Sequence, residues 1–380
     1  MQRTQTLTTP FHWLEKRLAV FLDSAFWRVK LIGLALAFSA GSLFLFNSIL
    51  IERGLLNLYY EMRHPGSIGG LFWDDIIEQG QDPFTQKNYE PGTHEANQTF
   101  RITIPLIARF LHLNVATLYL LHLVLGIPFL LVLTGIVEKI LRNKIHTFYF
   151  LTGFTAIYAG SCFYINYLGH ADIFPFLFML LMLRFRHPAA ILLFSQLAFW
   201  CDERALINSS FIGLWYLWPV LTDWEAHRKL VLRRSVVLPV AALVASGVLY
   251  LLIRTWMEHS LGLFIGHDSE LSKKTFFWSL SIFGDKITRG YEGMWLIILG
   301  AFVLLILVRR WWTFVLLAGA WLLNLIVAIL VADGTRALSF GFIGLLLCLC
   351  IMAEHLPPKQ IKYVLIVSTL FSLMLPLSFP

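Results

Sequence analysis

Two adjacent carboxylates, Asp74 and Asp75, are the residues of this sequence best suited to chemistry. They follow Phe72-Trp73 in a polar, acid-rich stretch between two apolar runs that are each long enough to cross a bilayer. Aromatic side chains anchor such a segment at the headgroup level of a membrane. A carboxylate held there can take the proton of an attacking hydroxyl as a general base. We therefore predict Asp74 and Asp75 as catalytic residues.

Charged and polar residues also occur at the ends of later apolar runs, where ionisable side chains are costly and are by default functional candidates. Arginine offers paired donors to a phosphate group, which makes it the preferred side chain for holding an anionic substrate. The predicted substrate-binding residues are Arg101, His170, Asp172, Asp202, Glu203, Arg204, Asp333 and Arg336.

Each of these groups is also compatible with a structural role. Asp333 and Arg336 are three residues apart, a spacing that places both on one helix face and suits an ion pair. His170 is compatible with an ordinary histidine at the membrane interface, and Arg101 with an interfacial anchor. The sequence favours function mainly because four separate clusters are predicted to lie on the same side of the membrane.

The elements that must position these residues are membrane helices. The chain has 380 residues, of which 58% are hydrophobic and only 14% charged, and its mean hydropathy is +0.70. Soluble domains of this size do not have such a composition. We therefore predict an all-α, polytopic integral membrane bundle that forms a single membrane domain over residues 1–380, and a nucleic-acid partner is excluded despite the net charge of +7.

About eleven transmembrane helices are predicted from apolar runs, since a span needs roughly 17 to 25 residues. The runs at 173–183 and 189–201 are short, so they either cross individually or form a re-entrant pair. The predicted spans cover residues 31–50, 114–137, 147–168, 173–183, 189–201, 205–221, 236–257, 294–308, 313–332, 337–353 and 363–378.

The positive-inside rule orients these spans, because basic residues concentrate in cytoplasmic loops. Most of the basic residues fall on one side when the N-terminus is cytoplasmic, whereas the short loops of the other side hold only Arg204 and Arg336. This orientation places two long loops outside, at residues 51–112 and 258–293. The predicted location is therefore the inner (plasma) membrane, with the active site on the periplasmic or exoplasmic side.

Several catalytic motifs are missing from the sequence. It contains no HExxH zinc helix, no phosphate-binding glycine loop and no GxSxG motif with a matching histidine. The four cysteines lie in or beside apolar runs and form no CxxC pair. What the residues favour is transfer from an anionic, lipid-linked donor to a hydroxyl acceptor, with a carboxylate as base and arginine at the phosphate.

The pattern resembles the GT-C fold integral membrane glycosyltransferases. The similarity rests on an acid in the first outer loop (Asp74 or Asp75), an aromatic residue shortly after it in AspProPhe at 82–84, Pro105-Leu106 at the entry to the second span, and short middle helices that end in acids at Asp172 and Asp202. These features cover residues 30–340.

The resemblance implies an inverting glycosyltransferase that takes a sugar from a polyprenyl-phosphate donor and transfers it to a glycan or lipid acceptor. Asp74 or Asp75 would act as base or metal ligand, and Arg204 and Arg336 would hold the lipid phosphate. Asp202, Glu203 and Asp333 would orient these arginines or bind sugar hydroxyls. Paired carboxylates suit Mg²⁺ or Mn²⁺, but many enzymes of this class need no metal, so no cofactor is assigned.

Two other functions are compatible with the same sequence. One is a transporter or flippase for a polar or lipid-linked solute, although transporter sites usually lie near the bilayer midplane. The other is a polysaccharide polymerase or a membrane acyltransferase. Among the three, we expect a glycosyltransferase that contributes to envelope polysaccharide or glycolipid synthesis.

Overall fold

The computed structural model describes residues 9–64, 72–86, 98–228, 233–264, 277, 280–331 and 333–374. Within these ranges the chain forms helices joined by short turns, and no strand occurs. The all-α prediction is therefore confirmed for the described part of the chain. Parts of both predicted outer loops, 51–112 and 258–293, lie outside the described residues.

The first half of the chain contains nine α-helices in the described ranges. They are α1 Thr9–Phe21, α2 Trp27–Arg63, α3 Phe72–Gln81, α4 Thr103–Phe110, α5 Val115–Leu141, α6 Lys144–Ala156, α7 Tyr158–Ile165, α8 Ile173–Arg184 and α9 Pro188–Phe199.

The second half continues with longer helices broken by two short ones, α12 and α15. The helices are α10 Arg204–His227, α11 Arg234–Leu261, α12 Phe283–Tyr291, α13 Trp295–Leu307, α14 Trp311–Leu330, α15 Gly334–Ser339, α16 Phe342–His355 and α17 Pro358–Met374. A single 3₁₀ turn, Glu292–Met294, joins α12 to α13.

Helix ends follow local signals in the sequence. Asn114 caps α5: its side chain accepts a hydrogen bond from the Thr117 amide, and the Thr117 hydroxyl accepts one from the Asn114 amide, both at 2.9 Å. Asn143 caps α6 in a similar way, and Pro188 occupies the first turn of α9, where its missing N–H is harmless. These caps fix where the helices on either side of the candidate site begin.

Six helical segments in the described ranges are long and apolar enough to cross a membrane, or seven when the bent pair α6 and α7 is counted as one. This supports a polytopic membrane protein, but eleven spans are not confirmed. The predicted third span, 147–168, is broken between α6 and α7 by a bend of 57°. At about 1.5 Å per residue, the 12-residue helices α8 and α9 are each about 18 Å long, well below the roughly 30 Å of a bilayer core.

The core is built from helices that are apolar on all sides. Nearly every side chain of α16 from Phe342 to Leu349 is fully buried, and aromatic rings of α5, α6 and α8 pack around Phe342. The longer helices bury one face only and expose large apolar side chains on the other, as Leu251 and Leu252 do on α11. Such exposed faces are what a lipid-facing surface requires.

The segment after the first span differs from a simple loop. Helix α2 continues unbroken to Arg63, so the first part of the predicted outer loop 51–112 is the end of the first spanning helix. Helix α3 then carries Asp74 and Asp75 in its first turn, where the helix dipole favours negative charge. It packs against α4 so closely that a Cβ atom on Gly80 would lie 2.8 Å from the Pro105 carbonyl oxygen.

Candidate active site

The strongest polar contact of the site joins Arg336 on α15 to Asp172, the residue that precedes α8. The Arg336 Nε and Nη2 atoms donate to the two Asp172 oxygens at 2.7 and 2.8 Å, a bidentate pair between side chains that are each 1% exposed. Two residues that are 164 positions apart in sequence are thereby fixed side by side. The pairing satisfies both charges in a place that water does not reach.

Further hydrogen bonds complete the surroundings of this pair. Asp333 caps α15 by accepting from the Arg336 amide at 3.3 Å, and it also accepts from Arg336 Nη1 at 3.1 Å. On the other side, the Tyr158 hydroxyl donates to Asp172 at 2.5 Å, and the Asn166 amide donates to the Tyr158 oxygen at 3.1 Å. Asp172 therefore accepts from Arg336 and Tyr158 together.

A second group of ion pairs surrounds Asp202 at the start of α10. Arg204 donates to Asp202 from Nε at 2.8 Å and from Nη2 at 2.5 Å. Arg101 lies on the opposite side, with Nη1 3.5 Å from the same carboxylate, and it makes its own bidentate pair with Glu203 at 2.8 and 3.2 Å. Asp202 thus connects two arginines.

The two groups form one electrostatic unit, which we call the ion-pair network: Arg101, Asp172, Asp202, Glu203, Arg204, Asp333 and Arg336. Burial alone would raise the pKa of Asp172 and of Asp202, but the neighbouring arginines outweigh it and lower both values below the ordinary 3.8. Arg336 contributes to this lowering at both carboxylates. The network contains three arginines and four acids, so its summed formal charge is −1.

Arg204 makes further contacts besides its ion pair with Asp202. Its guanidinium lies 4.8 Å from the centre of the Phe340 ring, and its carbonyl accepts from the Asn208 amide at 2.9 Å. Asn324 on α14 then donates to Asn208 at 2.7 Å and to the Ala337 carbonyl at 3.2 Å. These bonds tie α10 and α14 to the short helix that carries Arg336.

Helix α3 is attached to the turn before Asp172. The Trp73 indole donates to the Tyr167 carbonyl at 3.0 Å, and the Phe72 amide donates to the Leu168 carbonyl at 2.9 Å. Gly169 has φ +99°, and a Cβ atom there would lie 2.6 Å from the Trp73 amide nitrogen. Glycine is thus required at this position both by backbone conformation and by space.

His170 lies at this junction, with its ring 4.9 Å from the ring of Phe72. A cleft of about 30 Å³ separates α3 from the network and is lined by Gln79, Arg101 and His170 among others. The Gln79 amide donates to the Gln98 carbonyl at 2.9 Å and closes one side of this cleft. The predicted convergence of His170 and Arg101 with the helix of Asp74 is therefore observed.

Asp74 has a different environment from the acids of the network. Its Oδ2 atom is buried and accepts no hydrogen bond from any residue that the structure describes. Burial, followed by the nearby carboxylate of Glu61, raises its pKa above the ordinary value of 3.8. Glu61 is itself only 3% exposed. Asp74 is thus a more basic carboxylate whose charged neighbour is another acid and not one of the arginines.

An apolar groove of about 570 Å³ runs between α4 and α9 beside the network. Leu106 and Phe110 line it from α4, and Leu193 and Leu197 line it from α9. The Thr103 amide donates to the Trp200 carbonyl at 3.1 Å and joins the two helices at one end. At that end the lining residues Ile102 and Trp200 come directly next to Arg101 and close to Asp202 in sequence.

Sequence reasoning found the charged residues of the site but missed its neutral and apolar parts. Nothing distinguishes Tyr158 and Asn166 from other polar residues within apolar runs. Glu61 falls in a stretch that the sequence predicted as loop. The groove did leave a signal, since Ile102, Leu106 and Phe110 repeat at four-residue intervals and so share one helix face.

Among the residues described, no group of three or more His, Cys, Asp or Glu side chains could hold a metal ion. The predicted Mg²⁺ or Mn²⁺ therefore stays a prediction, with no ligand set assigned to it. Comparison with known proteins adds nothing to this site: no family model, no curated protein and no solved structure matches the chain.

Proposed function

We propose that this protein is an integral membrane glycosyltransferase that transfers a sugar from a polyprenyl-phosphate donor to a hydroxyl acceptor on the exoplasmic face of the inner membrane. The proposal includes a GT-C-like arrangement of about eleven spans with a cytoplasmic N-terminus, in which the shorter apolar helices cross as well. The acceptor class is a glycan or a glycolipid of the cell envelope.

The observation that carries the proposal is the apolar groove, one end of which is lined by Ile102, the residue next to Arg101. Its walls are almost entirely hydrocarbon, which suits an isoprenoid chain and excludes a polar solute. Arg101 keeps 16% of its side chain exposed, while Arg204 and Arg336 are more deeply buried and donate to carboxylates. An anionic head group attached to a chain in the groove would therefore meet Arg101 first.

This geometry divides the arginines into two roles. Arg101 is the proposed phosphate ligand, because it is the most exposed guanidinium of the network and lies beside the groove. Arg204 and Arg336 are proposed as positioning residues, because their side chains are only 7% and 1% exposed and pair with buried carboxylates. The earlier expectation that Arg204 and Arg336 hold the phosphate is thus replaced in this proposal.

Asp74 is the proposed general base. The acceptor hydroxyl attacks the anomeric carbon, its proton passes to the Asp74 carboxylate, and the bond from that carbon to the phosphate oxygen breaks. The polyprenyl phosphate leaves with the electron pair and is stabilised by Arg101. A raised pKa makes Asp74 a stronger base than an ordinary aspartate, and Asp75 occupies the same helical turn.

The first test compares lipid extracts and envelope glycans of cells that produce wild type, Asp74→Asn or Arg101→Ala at matched protein levels. Asp82→Asn is the control, because Asp82 is an exposed acid just beyond α3. We expect a polyprenyl-phosphate sugar to accumulate in the first two variants, together with the loss of one glycan decoration. Unchanged lipids and glycans in both variants would contradict the proposal.

A transporter is the second candidate, and one observation favours it. Helices α6 and α7 form a broken span with a bend of 57°, and broken helices often line the substrate site of transporters. Reconstituted protein distinguishes the two functions: a transferase changes the chemical identity of a labelled lipid-linked sugar, whereas a transporter or flippase moves it across the bilayer unchanged.

A further inference from the structure

A strained turn interrupts the candidate span Phe283–Leu307. Glu292, its first residue, has φ +46° and ψ −126°, a backbone conformation that is essentially restricted to glycine. The side chain is nonetheless buried, with the residue 6% exposed. A glutamate is therefore held, with its side chain buried, in a conformation that glycine would adopt without strain.

Both carboxylate oxygens of Glu292 are buried, and neither accepts a hydrogen bond from any other residue in the described ranges. The acids of the ion-pair network differ sharply, since each of them accepts from at least one arginine. A buried carboxylate without a partner is unfavourable unless it takes up a proton or a positive group compensates it. No described arginine or lysine forms an ion pair with Glu292.

Three hydroxyl groups on neighbouring helices share this property. Ser368 and Ser372 on α17 and Thr152 on α6 are 0 to 2% exposed, and their hydroxyl oxygens have no hydrogen-bond partner among the described residues. Helical serines usually donate to the carbonyl four residues earlier, as Ser195 does to Ile191 at 2.6 Å. The three hydroxyls are thus available to another ligand.

Tight packing brings the turn against the two helices that carry these hydroxyls. A Cβ atom added to Gly293 would overlap with the Ser368 carbonyl oxygen and would lie 2.7 Å from the Ser372 amide nitrogen. No larger residue therefore fits at this position. On the other side, the Met294 side chain contacts Gly153, the residue after Thr152. The turn that begins at Glu292 is therefore packed between α17 and α6, the helices that carry the three hydroxyls.

We propose that Glu292, together with Ser368, Ser372 and Thr152, forms a binding site for a monovalent hard cation, Na⁺. All four side chains offer oxygen, which such cations prefer. A single carboxylate balances a single positive charge. Sites of this kind combine interrupted helices, hydroxyls and carbonyl oxygens within membrane bundles.

The site is separate from the ion-pair network but is mechanically connected to it. The Tyr291 hydroxyl, on the residue before Glu292, donates to the Leu338 carbonyl at 2.8 Å. Leu338 belongs to α15, the helix of Arg336, and it also packs against Gly290. A bound cation would hold this turn closed and so keep α15 in place, whatever the reaction at the network is.

Thermal unfolding of the purified full-length protein in NaCl, KCl or choline chloride of equal ionic strength tests the proposal. Na⁺ stabilises the folded state by mass action, so we expect a saturable rise in melting temperature of about 2 to 4 °C with Na⁺ that choline does not reproduce. Glu292→Gln and Glu292→Gly should remove this rise. Glu258→Gln, an exposed acid on α11, should keep it.

Glu292→Gly also tests folding separately from binding. Because glycine relaxes the backbone at this position, this variant should be at least as stable as wild type in choline while it no longer responds to Na⁺. Ser372→Ala keeps the carboxylate, and the Na⁺ concentration of half-maximal effect should rise about tenfold. Equal stabilisation by all three salts, or a Na⁺ response that persists in Glu292→Gly, would overturn the proposal.

Discussion

The ion-pair network and the acidic turn of α3 place the same side chain in opposite environments. Asp172 and Asp202 are fully buried, yet each accepts bidentate hydrogen bonds from an arginine, and their pKa values are lowered. Asp74 is only half-buried, yet one of its oxygens has no described donor, Glu61 is its charged neighbour, and its pKa is raised. Partners, and not depth, thus decide which carboxylate is fixed and which is reactive.

The comparison also separates carboxylates that suit a structural role from carboxylates that suit proton transfer. A carboxylate that is held by arginine is a poor base, since its charge is already stabilised, but it can align helices that are far apart in sequence. A carboxylate next to another acid gains from accepting a proton. We therefore propose that the arginine-bound acids of the network position the helices and that Asp74 on α3 takes part in the reaction, and the following substitutions test this division.

The largest effect is expected for Asp172→Ala. It leaves the Arg336 guanidinium buried without its main partner, and breaking a buried pair in this way costs about 3 to 5 kcal/mol of stability. Melting temperature and the yield of monodisperse protein would measure it. Asp333→Ala is the matched control, because Asp333 contacts the same arginine but is 39% exposed; the lost cap and surface contact should cost only about 1 kcal/mol. Equal losses would show that burial of the pair is unimportant.

The second effect concerns activity rather than stability. Asp74→Asn removes the proposed base, and the transfer rate of purified protein should fall by about 10² to 10⁴. The melting temperature should stay close to that of wild type, because this carboxylate makes no ion pair that the substitution would break. Asp82→Asn should retain activity. A variant that is destabilised and inactive to the same degree as Asp172→Ala would place Asp74 among the structural acids.

A moderate effect is expected from filling the apolar groove. Leu197→Trp narrows its wall without touching a charged residue, so the concentration of lipid donor needed for half-maximal rate should rise about tenfold, a change of roughly 1.4 kcal/mol. Leu251→Trp is the control, since Leu251 is 54% exposed on the outer face of α11, away from the groove. Identical kinetics of the two variants would remove the groove from the donor site.

The general architecture and most charged residues of the site could be predicted from the sequence. Composition identified a helical membrane protein, and the occurrence of acids and arginines at the ends of apolar runs selected all seven members of the network. The reason is physical: charge within such runs is costly, so its few occurrences stand out.

The partners of the ion pairs and the lengths of the middle helices could not be predicted from the sequence in this way. That Arg336 pairs with Asp172 as well as with nearby Asp333 depends on how helices pack, and no local pattern encodes a contact across 164 residues. Likewise, hydropathy alone does not reveal that the run at 147–168 bends between α6 and α7, or that α8 and α9 are too short to match the bilayer individually. Glu292 was overlooked because its strain is a backbone property without a sequence signature.

The smallest effect is a difference in pH dependence between the two regions. Because the pKa values of Asp172 and Asp202 are lowered by folding, their contribution to stability is present above the ordinary value of 3.8 and is lost as the pH falls below it. Asp74 has a raised pKa, so it acts in the opposite direction: its contribution is present below 3.8 and is lost as the pH rises through its higher folded value. The melting temperature of wild type should therefore fall steeply below about pH 4 and decline slightly as the pH rises above it.

Asp74→Asn isolates the smaller of these two changes of melting temperature with pH. The variant should lose the slight decline above about pH 4, by less than about 1 kcal/mol since solvent screens a half-buried group, while the steep loss at lower pH persists. Asp202→Asn should do the reverse, with lower stability at neutral pH and a shallower loss in acid. Melting temperatures between about pH 3 and 7 measure both slopes. If Asp74→Asn instead reduced the loss of melting temperature at low pH, the folded protein would stabilise Asp74 as a carboxylate. The contrast between the ion-pair network and the acidic turn of α3 would then not hold.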